Sequence, residues 1–417
     1  MYAWLRDLND KERKTMFGCF GGWSLDALDV QLFSFAIPTL LTVLHMTRTE
    51  VGQLGTVTLL ISAFGGWIAG ALSDRMGRVK VLQITILWYA FFTFLCGFAQ
   101  DFNQLFVFRA LQGLGFGAEW SAGAVLMGEV IRDKYRGRAV GLVQSGWAVG
   151  WGAAALLYTL IFAWLPEEQA WKALFWIGLA PALLVFWVRK HVEEPDVFKQ
   201  SASRAPRTGG SLSQMFVVLK PPYLSTTLKV ALMVTGAQGG SYALSIWLPT
   251  YLRTVRGLST LGTGSYLVVH IIGAWFGFIA GAMLADAIGR KATFLLSAVG
   301  SAIAVVAFVM LPITNETQLL VAAPLGFILY MMFAPMGTFM TELYPTEVRG
   351  AGQGFCYNVG RAFGALFPFA VGFLSDKLDL GTAIACFAFI AYGIQVLALL
   401  MLPETRGRNV ANIAAAE

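Results

Sequence analysis

Apolar blocks of about 20 residues, repeated from one end of the chain to the other, restrict this sequence more than any other feature. A helix needs about that length to cross hydrocarbon. Lipid offers the backbone no hydrogen-bond partner, so a spanning segment is either a helix or a strand of a closed barrel. These runs do not alternate with period two, which argues against a barrel. Only 13% of the 417 residues are charged and 57% are hydrophobic. Soluble domains run nearer a quarter charged. The sequence therefore predicts an all-α membrane protein embedded in a lipid bilayer.

Twelve spans are expected, at about 17–44, 52–72, 79–99, 103–130, 138–164, 169–189, 223–251, 262–286, 291–312, 317–343, 350–376 and 380–402. Lys and Arg crowd the two termini and the even-numbered loops, for example Arg75, Arg78, Lys80, Arg132, Arg290 and Lys291. The odd-numbered loops hold only Arg48, Arg253, Arg256 and Lys377. Basic loops stay inside the cell, so both termini are predicted to be cytoplasmic. The same rule accounts for the formal net charge of +6 without invoking nucleic acid. Cys19, Cys96, Cys356 and Cys386 each lie alone in an apolar block, so neither a metal, another cofactor nor a disulfide framework is indicated. The N-terminal segment lacks the apolar core and cleavage site of a signal peptide. No G-x-x-x-x-G-K-[ST] loop is present to hold ATP, and no nucleophile–base pair suggests an enzyme.

The longest polar loop splits the chain in two. The expected organisation is a cytoplasmic segment at 1–16, a six-helix bundle at 17–189, a linker at 190–222, a second bundle at 223–402 and a tail at 403–417. The halves repeat. GALSDRMGRVK after span 2 matches GAMLADAIGRK after span 8, with Asp74 opposite Asp286 and Arg78 opposite Arg290. GEVIRDKYRGRAVG closes span 4 as TELYPTEVRGAGQG closes span 10, which pairs Glu129 with Glu342. VEEP follows span 6 and LPETRGR follows span 12. A duplicated bundle of this kind holds its substrate near the midplane, between the halves.

These residues resemble the major facilitator superfamily along the whole chain. The most specific parts are a near-perfect match to the G-x-x-x-D-x-x-G-R-K pattern in both halves and RALQGLGFG in span 4. The latter carries Arg109, Gln112, Gly113, Gly115 and Gly117 at the superfamily's motif positions. PETRGR at 403–408 is similar to its sugar- and acid-transporting branches. Residues 24–40, SLDALDVQLFSFAIPTL, look most like the aromatic acid:proton and sialate:proton symporters. Ala27 and Leu28 fill the gap where the aromatic-acid group carries Gly. Span 5 has no proline, unlike the drug antiporters. The resemblance implies two six-helix bundles, a cavity lined by spans 1, 4, 7 and 10 with 11 beside them, and a monomer.

Charges at membrane depth cost about 2.5–3.5 kcal/mol each on insertion scales and so call for a reason. Asp26 and Asp29 share one face of span 1, three residues apart. They lie roughly 14 and 18 Å in from the start of their span at about 1.5 Å per residue. Glu119 in span 4 and Arg361 in span 11 reach a similar depth. A carboxylate held from water near other acids binds a proton more readily. Asp26, Asp29 and Glu119 are thus the proton-coupling candidates. Arg361 keeps its charge and offers a planar fork to a substrate carboxylate. Arg109, by resemblance, helps to couple proton and substrate. The alternative is that these acids merely pair with Arg361 or Arg109 to hold helices together. Asn358, Gln238, Tyr242 and Tyr357 are the further substrate-binding candidates. Asp74, Arg78, Asp286, Arg290, Glu129 and Glu342 are expected to act as conformational latches. A lone His270 in span 8 reads more readily as packing than as a ligand. The expected function is proton-coupled import of a small organic anion across a plasma membrane, the bacterial inner membrane in particular. A sugar or polyol symporter is the alternative, and a transporter-like receptor a more distant one.

Overall fold

Where the apolar blocks lie, the chain is helical. The computed structural model describes residues 3–132, 135–180, 182–191, 216–345 and 348–406. Spans 1 to 5 are α1 (Asp10–Val43), α2 (Arg48–Met76), α3 (Arg78–Cys96), α4 (Phe102–Val130) and α5 (Arg136–Trp164). Span 6 is shared by α6 (Glu167–Ile177) and α7 (Ala182–His191). In the second half α8 (Leu224–Ser245) and α9 (Leu248–Thr254) share span 7, and α10 (Thr260–Ile288) and α11 (Arg290–Met310) are spans 8 and 9. Span 10 is α12 (Asn315–Tyr330) with α13 (Phe333–Glu342), span 11 is α14 (Arg349–Gly364) with α15 (Leu366–Ser375), and span 12 is α16 (Leu380–Leu400). Among the described residues, eight helical runs are long and apolar enough to cross a bilayer by themselves. The molecule is a multi-pass membrane protein. Most of the 190–222 stretch, and the tail from 407, lie outside the described residues.

Spans 7, 10 and 11 each break in mid-course, and one local feature is common to all three. Pro249, Pro335 and Pro368 sit in the first turn of α9, α13 and α15. Proline has no N–H and its ring crowds the preceding turn, which favours a break there, although Pro38 and Pro324 lie inside α1 and α12 without one. At the start of a helix the missing donor costs little.

Side chains cap helices on both faces of the membrane, with Asn9 capping α1 on the N-terminal face. On the face opposite the N-terminus, Asp101, Ser259, Thr314 and Asp379 cap α4, α10, α12 and α16 by accepting a backbone N–H of the first turn. On the N-terminal face the short turns after spans 2 and 8 use glycine instead. Gly77 and Gly289 have φ of 103° and 105°, a region that side chains disfavour. That is the physical reason for the G-R in each copy of the repeated motif.

The duplication extends to the packing. α1 lies against α5, as α8 lies against α14. α4 packs on α2 and α3, as α12 packs on α10 and α11. α6 and α7 pack on α1 and α3, as α16 packs on α8 and α11. The halves meet where α2 lies along α14 and α15, and where α5 lies along α10. Towards the face opposite the N-terminus hydrogen bonds tie the two halves together. The Thr49 hydroxyl donates to Asp376 at 2.5 Å, Arg48 to the Ser375 carbonyl at 2.8 Å, Thr56 to the Ala365 carbonyl at 2.6 Å and Arg253 to Glu167 at 2.8 Å. Nearer the N-terminal face Phe355 of the second half stacks on Trp67 of the first, ring centres 6.0 Å apart.

Candidate functional site

A cavity with about 660 Å³ of empty space, part of it open to solvent, lies between the halves. Helices of both halves line it. Trp23, Gln144 and Trp147 come from the first half, and Gln238, Tyr242, Tyr330, Phe333, Gln353, Tyr357 and Arg361 from the second. Ser245, Tyr330 and Phe333 flank the breaks in spans 7 and 10, so the proline interruptions border the cavity wall.

Arg361 is the one charged side chain among the described residues that line this cavity. It is 2% exposed. Its guanidinium carbon lies 5.1 Å from the ring centres of both Phe116 and Tyr357. Aromatic faces stabilise a cation in this way without neutralising it. Tyr242 and Asp26 also lie within its electrostatic reach. Among the described residues, Arg361 Nε and Nη1 have no hydrogen-bond partner. A buried donor left unmade is costly, so the arrangement suits an acceptor that comes and goes.

The two aspartates of span 1 occupy different surroundings. Asp26 is fully buried and close enough to Arg361 to interact with it electrostatically. Asp29 is turned into the first half. The Thr93 hydroxyl donates to Asp29 Oδ1 at 2.6 Å, and the Gln112 amide donates to Oδ2. The same amide reaches Thr93 at 2.8 Å, and Arg109 donates to Gln112 Oε1 at 2.9 Å. Arg109 itself stacks on Phe33 at 4.0 Å. Asp29 therefore meets Arg109 through Gln112. Thr93 is not among the residues that the sequence singles out, and Gln112 is marked there only as a motif position, three residues after Arg109 on the same helix face.

Gln238, Tyr242 and Tyr357 lie on the cavity wall with Arg361. Asn358 is placed elsewhere. Its amide donates to the Gly354 carbonyl at 2.9 Å, and its oxygen lies where a side chain on Gly66 would be. It packs span 11 against span 2. His270 sits between the halves, its ring 5.3 Å from that of Trp151, with Nδ1 on the Ala322 carbonyl at 3.1 Å. The side chains of Asp74, Arg78, Glu119 and Glu129 lie outside the described residues.

In the second half the expected latch residues come together. Arg290 donates to Asp286 at 3.0 Å and, by a two-pronged contact, to Glu342 at 3.1 and 3.2 Å. PETRGR completes the cluster. The Thr405 hydroxyl donates to Glu342 at 2.5 Å. Glu404 accepts backbone N–H groups of Arg290, Lys291, Thr405 and Arg406 at 2.9 to 3.0 Å. The first half has its own tie. Arg132 forks onto Glu12 at 2.8 and 2.9 Å, and Glu12 also closes the capping box of Asn9. Neither Glu12 nor Glu404 is a charge that membrane depth would single out, since both lie outside the apolar cores.

Partial burial works against the Glu404 carboxylate, but its backbone donors outweigh that and hold it below the ordinary carboxylate range. A depressed folded-state value stabilises the fold above the unfolded value and ceases to do so as pH falls through the folded one. Glu404→Gln is therefore expected to melt about 1–2 °C lower at neutral pH, an effect kept small by solvent screening. The gap from the parent should close in acid. Thermal unfolding across a pH series in detergent checks this, and a gap that persists in acid contradicts it.

Comparison with known proteins adds the family. The Major Facilitator Superfamily profile matches residues 19–368. A curated relative, the "Probable 4-methylmuconolactone transporter" of Cupriavidus pinatubonensis, is 42% identical over 100% of this chain and 96% of its own length. The "Cis,cis-muconate transport protein" of Acinetobacter baylyi is 30% identical over 89% of this chain and 90% of its own. Among solved structures, the proton:xylose symporter XylE superposes with a TM-score of 0.73. That match covers 96% of this chain and 98% of XylE at 18% identity, a likeness of fold alone.

Proposed function

This chain belongs to the major facilitator superfamily, and we propose that it imports a small organic acid together with protons by alternating access. The observation that carries the reading is Arg361: a buried guanidinium on the wall of the central cavity, with two nitrogens unpartnered among the described residues. A carboxylate is the substrate group that satisfies a planar fork of donors. Two relatives named for an organic lactone acid and a diacid support the substrate class.

The cycle runs as follows. With both termini cytoplasmic, the hydrogen-bonded seam at Thr49–Asp376 and Arg253–Glu167 is the external gate, here shut. The cavity then belongs to an inward-facing state. To reload, those ties break and the halves rock about the α2–α14/α15 and α5–α10 seams. Asp29 takes a proton while facing outward, and Arg361 takes the carboxylate. Protonating Asp29 weakens its hold on Gln112, and through Gln112 on Arg109, so the proton is felt across the first half. Asp26, in reach of Arg361, links proton occupancy to the anion site. Glu119 is the third proton candidate. The Arg290–Glu342–Glu404 cluster and the Glu12–Arg132 fork keep each half rigid as it moves. The setting proposed is a bacterial inner membrane, with the protein as a monomer.

Uptake into proteoliposomes, with and without an inward proton gradient, tests this. The labelled panel is a muconolactone-type acid, cis,cis-muconate, benzoate, sialic acid, lactate and a neutral hexose. The expected result is gradient-driven accumulation of at least one acid and none of the hexose. Accumulation of the hexose alone turns the reading into a sugar symporter and reduces Arg361 to a structural cation.

A further inference from the structure

The cavity has a second polar end to which the cycle above gives no role. Gln144 comes from α5 in the first half and Gln353 from α14 in the second, and both side chains line the cavity. Each is half-buried, and among the described residues neither makes a hydrogen bond. Gln353 Nε2 lies 3.8 Å from the place a Cβ on Gly337 would take, and Gly337 is itself a lining residue. The bare glycine leaves that amide open to the cavity. A half-buried amide in a cavity open to solvent is satisfied by water, which a substrate hydroxyl or carbonyl can replace. Here two of them, one from each half, face one space. Gln353 lies eight residues before Arg361 on α14, roughly 12 Å nearer the N-terminal face by the helix rise.

We propose that Gln144 and Gln353 form a subsite for a neutral hydroxyl or carbonyl group at the far end of a singly charged acid. The proposal rests on the carboxylate role given to Arg361. An amide presents one donor group and one acceptor, which suits a hydroxyl or a carbonyl. It does not neutralise a second carboxylate. Arg361 is the one charged lining residue among those described, and Asp26 already draws on its field. A dianion would bring a second negative charge into a site with no second cation among the described residues, and an uncompensated buried charge is strongly unfavourable. Because the two amides come from opposite halves, a substrate that bridges them also couples its occupancy to their approach.

The test is competition binding to the purified full chain with two matched series. One is benzoate, 4-hydroxybenzoate and terephthalate. The other is a γ-lactone acetate and its ring-opened diacid isomer. The parent is expected to bind the hydroxyl- or lactone-bearing monoacid about fivefold more tightly than an acid without that group, the worth of one hydrogen bond. It should bind the diacids at least about tenfold more weakly than those monoacids. Gln144→Leu and Gln353→Leu should erase the fivefold preference, and a melting temperature close to the parent's reports that each variant is folded. Acids that bind with the same preference in both variants, or diacids that bind as well as the monoacids, overturn the subsite alone. Failure of every acid in both series overturns the carboxylate reading of Arg361, and the subsite with it.

Discussion

Arg361→Lys is expected to raise the apparent KM for the transported acid about 10- to 100-fold, and Arg361→Ala more still. The basis is geometric. A carboxylate can accept from two guanidinium nitrogens at once, and Nε and Nη1 of Arg361 are both unpartnered among the described residues. A lysine keeps the charge but offers one compact ammonium in place of the fork. It also loses the flat contact with Phe116 and Tyr357 that holds the group in position. Breaking a buried, hydrogen-bonded charge pair costs about 2–5 kcal/mol, and the conservative change should take the lower part of that range. At about 1.4 kcal/mol per factor of ten, this gives the stated shift. Uptake kinetics on a reconstituted variant measure it. An unchanged KM for every acid would sink the assignment of Arg361 as the anchor.

The membrane architecture was legible because lipid imposes it. Backbone groups must be satisfied within each segment, so long apolar runs leave helices as the answer, and the repeated motifs reveal the duplication. The paired glycines of those motifs correspond to one backbone conformation at Gly77 and Gly289. The breaks in spans 7, 10 and 11 were harder to see, since their prolines lie in runs that remain apolar throughout. Arg361, Asp26 and Asp29 stood out by the cost of burying a charge. Membrane depth, however, does not tell direction. Asp26 and Asp29 lie on one face of a helix three residues apart, yet one feels Arg361 and the other is bonded to Thr93 and Gln112. Neutral residues such as Thr93, Gln144 and Gln353 carry no comparable signal, because half-buried or hydroxyl-bearing side chains in a helix cost little wherever they point, and Gln112 is marked by its motif rather than by its depth. Asn358 shows the converse: an amide at the expected depth that packs two spans together.

Asp29→Asn should abolish accumulation of the acid against its gradient while leaving exchange of acid for acid across the membrane. Asn fills the same volume, so the packing around it survives. It cannot take up and release a proton, so the half-cycle that requires release is no longer tied to the gradient. The hydrogen-bond pattern gives the effect a further part. Asp29 Oδ2 accepts from the Gln112 amide, whose oxygen in turn accepts from Arg109. An asparagine that keeps its oxygen on Thr93 sets an NH2 against the Gln112 NH2. If Gln112 turns over to relieve this, its own NH2 then faces Arg109. The chain Asp29–Gln112–Arg109 is therefore polarised in one direction, and an asparagine satisfies it only by turning its oxygen to Gln112 and its NH2 to Thr93, whose hydroxyl then gives its proton to the Tyr89 carbonyl. Counterflow of labelled acid should persist at a reduced rate, with the accumulation ratio falling to about one. Retained accumulation would remove Asp29 from the proton path. Loss of counterflow as well, together with a lower melting temperature, would show that Asp29 serves to hold spans 1, 3 and 4 together, and would move the proton role to Asp26 or Glu119.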